Sequence, residues 1–244
     1  VSFPPSAPPL PDVRRTLAVF AHPDDVDFGC AGTVARWVDE GVEVAYLIVT
    51  RGDSGGFDET PREQMPARRE AEQRAAAAAV GVRRVDFLDG HHDGTLTASL
   101  ELRRQITAAI RRFRPDRVLT SSPLRRWEQL AGPSHPDHLA VGEATTCAVY
   151  PDSRNRFAFP ELLDAGLAPW VVREIWYAGG PGPDHVVDVT DQLDRRIAAM
   201  RAHRSQTAHL DVPTWVRDRL TTMADNAGLP AGRLAEAFTV LRTE

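Results

Sequence analysis

The sequence predicts an α/β fold built on a mostly parallel, right-handed sheet, and three observations carry that expectation. Short apolar runs rich in strand formers alternate with longer segments of helical spacing, the pattern of successive βα units. Each of the first runs gives way to a polar stretch holding glycine, histidine or aspartate. No Gly/Ser linker or shift of composition divides the 244 residues, so residues 15–244 are expected to form one domain behind an extended arm over 1–14.

The arm carries five prolines and few anchoring apolar groups, hence its extended character. The first strand covers the apolar run 16–20 and ends at His22 or just before it, because Leu17, Val19 and Phe20 favour β structure without helical spacing, and Pro23 cannot donate to a ladder. Residues 28–33 hold two glycines and read as a turning segment before a helix that contains Val34, Trp37 and Val38 and stops at Gly41. A second strand spans 43–50, with a glycine-rich loop over 51–56. A helix follows over 63–80, favoured by its alanine run and ended by Gly81 before a strand at 84–88 and a polar loop at 89–94. Leu102, Ile106, Ala109 and Ile110 give helical spacing to 100–113, and Pro115 closes that helix before a strand at 116–121. A long loop, 122–134, leads to a helix over 139–149. Strands are expected at 174–177 and 185–189, and helices near 193–205 and 215–223, whose part is packing and the pocket walls.

Composition narrows the function classes. With 34 acidic against 29 basic residues, a pI near 5.9 and no basic block, nothing attracts a nucleic acid, and a small-molecule substrate fits better. No apolar run approaches the about 18 residues that span a bilayer, and residues 1–11 lack a charged and an apolar targeting region, so a cytoplasmic protein is expected. Cys30 and Cys147, far apart, suggest a reducing compartment without a disulfide framework. Whether the chain forms a homo-oligomer is open at this level.

The chemistry gathers in Ala21-His22-Pro23-Asp24-Asp25, behind the first strand, and in His135-Pro136-Asp137-His138, behind the fourth. Open parallel sheets bind ligands beyond the carboxyl ends of their strands, where both motifs lie. Imidazole and carboxylate together form a hard-to-borderline metal set, and catalytic zinc takes three protein ligands with the fourth position left for water. From spacing alone one or both of Asp24 and Asp25 join His22, and His135 or His138 completes the set.

The two motifs together, in a chain of this length, resemble the zinc-dependent de-N-acetylases of the LmbE and PIG-L family. The likeness runs from about residue 16 to 206, with further matches at Asp53, Arg69-x-x-Glu72, Asp93-Gly94 and Ser205-Gln206. It implies a Rossmann-like sandwich with helices flanking the sheet and one Zn²⁺ per chain. By motif position it implies His22, Asp25 and His138 as metal ligands, Asp24 as general base, and His135 as the group stabilising the tetrahedral intermediate. Asp137 would orient a histidine, while Arg69, Asp53 and Asp93 would meet substrate. Two departures mark a sub-branch without removing a ligand: Val26 stands where most members have Glu, and Ala31-Gly32 replaces a glycine pair. Pro133 stands where some sugar-active members have tyrosine, so that residue's role does not carry over.

Plainer readings stand beside these. A single strand-end histidine is usually an ordinary hydrogen-bonded side chain, and it is the pairing of motifs that lifts this one. His91 and His92 read as solvated turn residues, Cys30 as a small buried residue, and Arg69 with Glu72 as a helical i,i+3 pair. The expected function is removal of an N-acyl group, acetyl foremost, from an amino sugar or related small conjugate by metal-activated water. The alternatives are a metal-dependent phosphoesterase, which would want a second metal, and a non-catalytic Rossmann-like binding module.

Overall fold

The computed structural model describes residues 9–57 and 59–243. Residues 1–8 of the expected arm lie outside this range; just after them the Leu10 N–H donates to the buried Glu174 carboxylate at 2.9 Å. The first half of the chain forms β1 (Arg15–Phe20), α1 (Asp25–Asp39), β2 (Glu43–Ile48), α2 (Met65–Ala79), β3 (Arg84–Phe87), α3 (Leu100–Phe113), β4 (Arg117–Ser121) and α4 (Pro136–Val149). The second half forms α5 (Pro160–Asp164), β5 (Glu174–Ala178), β6 (His185–Asp188), α6 (Leu193–Ala202), α7 (Arg204–Thr207), α8 (Val212–Asn226) and β7 (Ala235–Arg242).

The strands make one seven-stranded sheet in the order β3-β2-β1-β4-β5-β7-β6. β3, β2, β1, β4 and β5 run parallel, whereas β7 lies antiparallel between β5 and β6. β1 is covered on both faces, which is why it reads as a continuous apolar run and not as an alternation. Ala18 and Phe20 pack with Val34 and Trp37 of α1 and Ala76 of α2, while Leu17 and Val19 pack with Ile106 of α3 and Val141 of α4. The chain moves outward from β1 through β2 to β3, then returns to place β4 on the other side of β1. The connections diverge there, opening a crevice at the carboxyl ends of β1 and β4.

Three elements differ from expectation. α1 begins at Asp25, inside the first motif, and runs through the expected turning segment at 28–33. Gly32 serves close packing within that helix: a Cβ there would meet the Val189 Cβ at 2.9 Å and a Glu236 oxygen at 3.0 Å. α4 begins at Pro136, so its first turn holds Asp137 and His138. The C-terminal third, expected to be helical after β6, also contributes β7.

The strand is hidden because it carries a buried charge. Glu236, only 3 % exposed, accepts from the Gly32 and Thr33 N–H groups at 3.0 and 2.8 Å and pairs with Arg196 of α6. Arg196 in turn donates to the Phe28 carbonyl at 2.8 Å. β7 and α6 are thus fastened to the helix that begins in the first motif.

Gly32→Ala should therefore destabilise the fold. Overpacking costs about 1–3 kcal/mol, against a helix-propensity gain of at most about 1 kcal/mol. A melting temperature lower by about 2–8 °C is expected, and an unchanged or higher one would show that Val189 and Glu236 yield freely.

Candidate active site

Both motifs enter the crevice at a helix start, where unsatisfied N–H groups and the macrodipole favour negative charge. Asp24 makes the turn into α1 with φ of 103°, a backbone conformation that residues other than glycine rarely adopt. Asp25 follows in the first turn and accepts from the His22 N–H at 2.8 Å. On the other side of the crevice His135 caps α4, its Nδ1 accepting from the Asp137 N–H at 3.2 Å.

His22 has both ring nitrogens committed. Its Nε2 lies 3.0 Å from Asp137 and 3.1 Å from Asp93. Asp137 also accepts from the Gly94 and Leu96 N–H groups at 2.7 and 3.1 Å, so it is an acceptor on every side. Burial opposes its charge, but His22 and these N–H groups prevail and hold its carboxyl below the ordinary range. The neutral His22 tautomer therefore keeps its proton on Nε2, and Nδ1 is the nitrogen aimed at Asp25 and His138, free to bind an ion once its own proton has left.

That nitrogen meets a compact donor set. His138 Nε2 is 3.3 Å from His22 Nδ1, and Asp25 places one oxygen 3.4 Å from His22 and the other 2.9 Å from His138. Donors bound at about 2.0–2.1 Å with tetrahedral angles lie about 3.3–3.4 Å apart. Electrostatics agree with this fit. Burial disfavours charge on His22, yet Asp25 and hydrogen bonds to Asp137, Asp25 and Asp93 push its pKa up to about 12. Burial likewise works against His138, and Asp25 likewise raises it. Two protonated rings would turn N–H groups on each other across 3.3 Å, whereas one divalent ion would satisfy both nitrogens and Asp25 together.

Two other donor groupings occur among the described residues, His22 with His135 and His138, and His22 with Asp93 and Asp137. The second would use the nitrogen already bonded to Asp137. The first would recruit His135, whose Nδ1 is occupied by the Asp137 N–H. Burial and the neighbouring His22 and His138 push the His135 pKa down. Asp137 turns its carboxylate to His22, while His135 Nδ1 accepts from the Asp137 N–H, so a neutral His135 ring carries its proton on Nε2.

Asp24 lies beside the donors without joining them. Arg69 donates to its carboxylate at 3.0 Å and to the Pro23 carbonyl at 2.6 Å, while Gln73 accepts from its N–H at 2.8 Å. Burial raises the Asp24 pKa to about 6, with Arg69 opposing and Asp25 adding to the rise. Arg69, expected at the substrate, is 3 % exposed and stands behind Asp24. Asp93 faces His22, and Asp53 accepts from the Asp93 N–H at 3.0 Å, so these two fasten the loop beside the donors. Of the turn histidines, His92 is largely exposed near Asp53 and His91 meets Gln105.

Residues 17–149 match the PIG-L family model, described as GlcNAc-PI de-N-acetylase. The chain belongs to this family. Its members are metal-dependent deacetylases, and the chain is a hydrolytic N-deacetylase. Among PIG-L relatives, a diacetylchitobiose deacetylase from Thermococcus kodakarensis is 32 % identical over 203 residues, covering 81 % of this chain and 72 % of the relative. A probable N-acetyl-alpha-D-glucosaminyl L-malate deacetylase 2 from Bacillus anthracis is 31 % identical, covering 80 % and 82 %. The structure of N,N'-diacetylchitobiose deacetylase from Pyrococcus horikoshii, complexed with an inhibitor, superposes with a TM-score of 0.84 at 30 % identity over 94 % of this chain and 84 % of that one.

Sequence reasoning missed Gln73, Asp27 and His203, all fully buried. One signal was available: Gln73 follows Arg69 by one helical turn and interrupts the alanine-rich face of α2. For Asp27 and His203, far apart in the chain, no local pattern exists.

Metal content separates the donor sets. Asp25→Ala should lose most of the bound ion, while His135→Ala should keep it; the reverse pattern on elemental analysis would make His135 the third donor. Because His22 and His138 hold protons above the ordinary histidine range, an entering ion must displace them. Affinity for a divalent ion should therefore rise from about pH 6 to pH 8, and a flat titration would contradict proton displacement.

Proposed function

We propose that this PIG-L chain is a zinc-dependent deacetylase that removes the acetyl group from a small N-acetylglucosamine-type amino sugar, with residues 15–244 acting as one catalytic domain. The observation that carries this reading is the convergence of His22 Nδ1, His138 Nε2 and the Asp25 carboxylate within 3.4 Å of one another, beside an Asp24 kept out of the set. His22, Asp25 and His138 would hold one Zn²⁺, Asp137 orienting His22 from its far side. When bound, the ion supplies Lewis acidity and lowers the pKa of water towards neutrality.

The protein's own groups move the protons. Asp24, with a pKa near 6, is mostly ionised at neutral pH yet more basic than an ordinary aspartate, which suits a general base. It takes a proton from the attacking water as the water oxygen bonds to the amide carbon. The carbonyl electrons pass to oxygen, where the His135 Nε2–H can donate to the developing negative charge. Asp24 then returns its proton to the amide nitrogen as the carbon–nitrogen bond breaks, giving acetate and a free amine. Arg69 acts by holding the Asp24 carboxylate in place.

The sugar class rests on the relatives, whose names specify N-acetylglucosamine-containing substrates. The described residues include no helix long and apolar enough to cross a membrane, and both cysteines are free. A cytoplasmic enzyme acting on a small N-acetylated compound agrees with both. A phosphoesterase would need a second ion, and the remaining His22–Asp93–Asp137 group has both Asp137 oxygens engaged by backbone N–H groups.

The test is acetate and amine release by zinc-loaded protein from N-acetylglucosamine, its disaccharide and its malate conjugate. Absence of release from every N-acetylated sugar by metal-replete protein would overturn the reading. Asp24→Asn should retain the ion and lose about 10²-fold to 10⁴-fold in kcat. Near-normal turnover in that variant would remove Asp24 from the role of base.

A further inference from the structure

The carboxylate of Asp24 is held by Arg69, but its strained backbone is held by something else. The Asp24 N–H donates to Gln73 Oε1 at 2.8 Å, and Gln73 Nε2 donates to Asp27 Oδ2 at 2.7 Å. These partners fix the orientation of the Gln73 amide, because an N–H must meet its oxygen and a carboxylate its nitrogen. Asp27 Oδ2 also lies 2.8 Å from His203 Nε2. Gln73, Asp27 and His203 are each 0 % exposed, so water does not compete for these bonds.

The far end of the chain of bonds is anchored too. His203 closes α6, and two residues later Ser205 gives its N–H and hydroxyl to Glu72 at 2.9 and 2.6 Å. The α6–α7 corner is thereby fastened to α1 through Asp27 and to α2 through Glu72, the residue before Gln73. Glu72 of the Arg69-x-x-Glu72 match and Ser205 of Ser205-Gln206, which had no role so far, meet in this bracket. Arg69 and Gln73, one helical turn apart on α2, grip Asp24 by its carboxylate and by its amide.

We propose that Gln73, backed by Asp27 and His203, is a positioning residue that keeps Asp24 at positive φ and so aims its carboxylate into the crevice. The proposal rests on Asp24 being the base. Its sign is definite: an Asp at φ of 103° is held against its own preference, and removing the acceptor for its N–H lets the turn relax. Relaxation at this residue swings its carboxylate, while the neighbouring Asp25 stays held by the His22 N–H and the rings of His22 and His138, so the donor set keeps its own supports.

The experiment uses the zinc-loaded 244-residue chain. Gln73→Met keeps length and removes both hydrogen bonds. It should retain one Zn²⁺ per chain by elemental analysis, lower kcat by about 10-fold to 100-fold with KM changed less than about threefold, and show Asp24 at negative φ in a crystal structure. The double variant Gln73→Glu, Asp27→Asn reverses the polarity of the lower bond. The amide at position 27 then donates to the carboxylate at position 73 and to His203 Nε2 in its other tautomer, and the Asp24 N–H keeps its acceptor. It should recover at least about tenfold in kcat over Gln73→Glu alone, which places a second carboxylate against Asp27.

A Gln73→Met protein with wild-type kcat, or with Asp24 still at positive φ, would overturn the proposal. Should that variant fail to fold, the double variant decides, since absence of recovery over the Gln73→Glu single variant also overturns it. Asp24→Asn run in parallel separates the two layers. If it keeps its turnover, the base assignment fails, while Asp24 φ in Gln73→Met still judges the positioning role.

Discussion

The site depends on one imidazole with two committed faces. His22 stands where the connections of the sheet diverge, with Nε2 against Asp137 and Nδ1 against Asp25 and His138. The backbone N–H groups of Gly94 and Leu96 fix Asp137 as an acceptor, and that fixes the His22 tautomer. A loop after β3 and the first turn of α4 thereby decide which lone pair a residue after β1 offers to an ion. Three separate strand ends must be in register for this to work, and the rigid parallel sheet provides that register.

Such an arrangement is costly in isolation. Buried carboxylates and imidazoles lose hydration, and an ion pair broken in the interior costs about 3–5 kcal/mol. The protein meets this by satisfying each charge several times over. Asp25 accepts from the His22 backbone and faces two rings; Asp24 is gripped by Arg69 and Gln73. The strain at Asp24 persists because its surroundings over-determine it, as is usual for strained residues at reactive sites.

The match to the family covers 17–149, which includes both motifs, yet several groups that support the site come from beyond it. Glu236 of β7 and Arg196 of α6 clamp α1, and His203 with Ser205 clamps α1 and α2. The N-terminal part thus carries both motifs, and the C-terminal third holds the helix that begins in the first of them. The antiparallel β7, inserted between β5 and β6, lets the last strand of the chain reach back to α1.

The sequence by itself determined the α/β class, the alternation of strands and helices that makes the early strands parallel, and the two motifs, because these are local. Strand runs, proline and glycine stops, and His/Asp spacing are set by neighbours within a few residues. It did not reveal that α1 and α4 begin inside the motifs, since the helical start at Asp25 depends on a strained Asp24 that only Arg69 and Gln73 can hold. It did not reveal β7, whose Glu236 looks like surface until Arg196 pairs with it. Nor could it place Arg69 behind Asp24, join Asp53 to the Asp93 N–H, or fix which His22 nitrogen faces Asp137. Those outcomes rest on burial, tautomer and partner, which exist only once segments distant in the chain are brought within about 3 Å of each other.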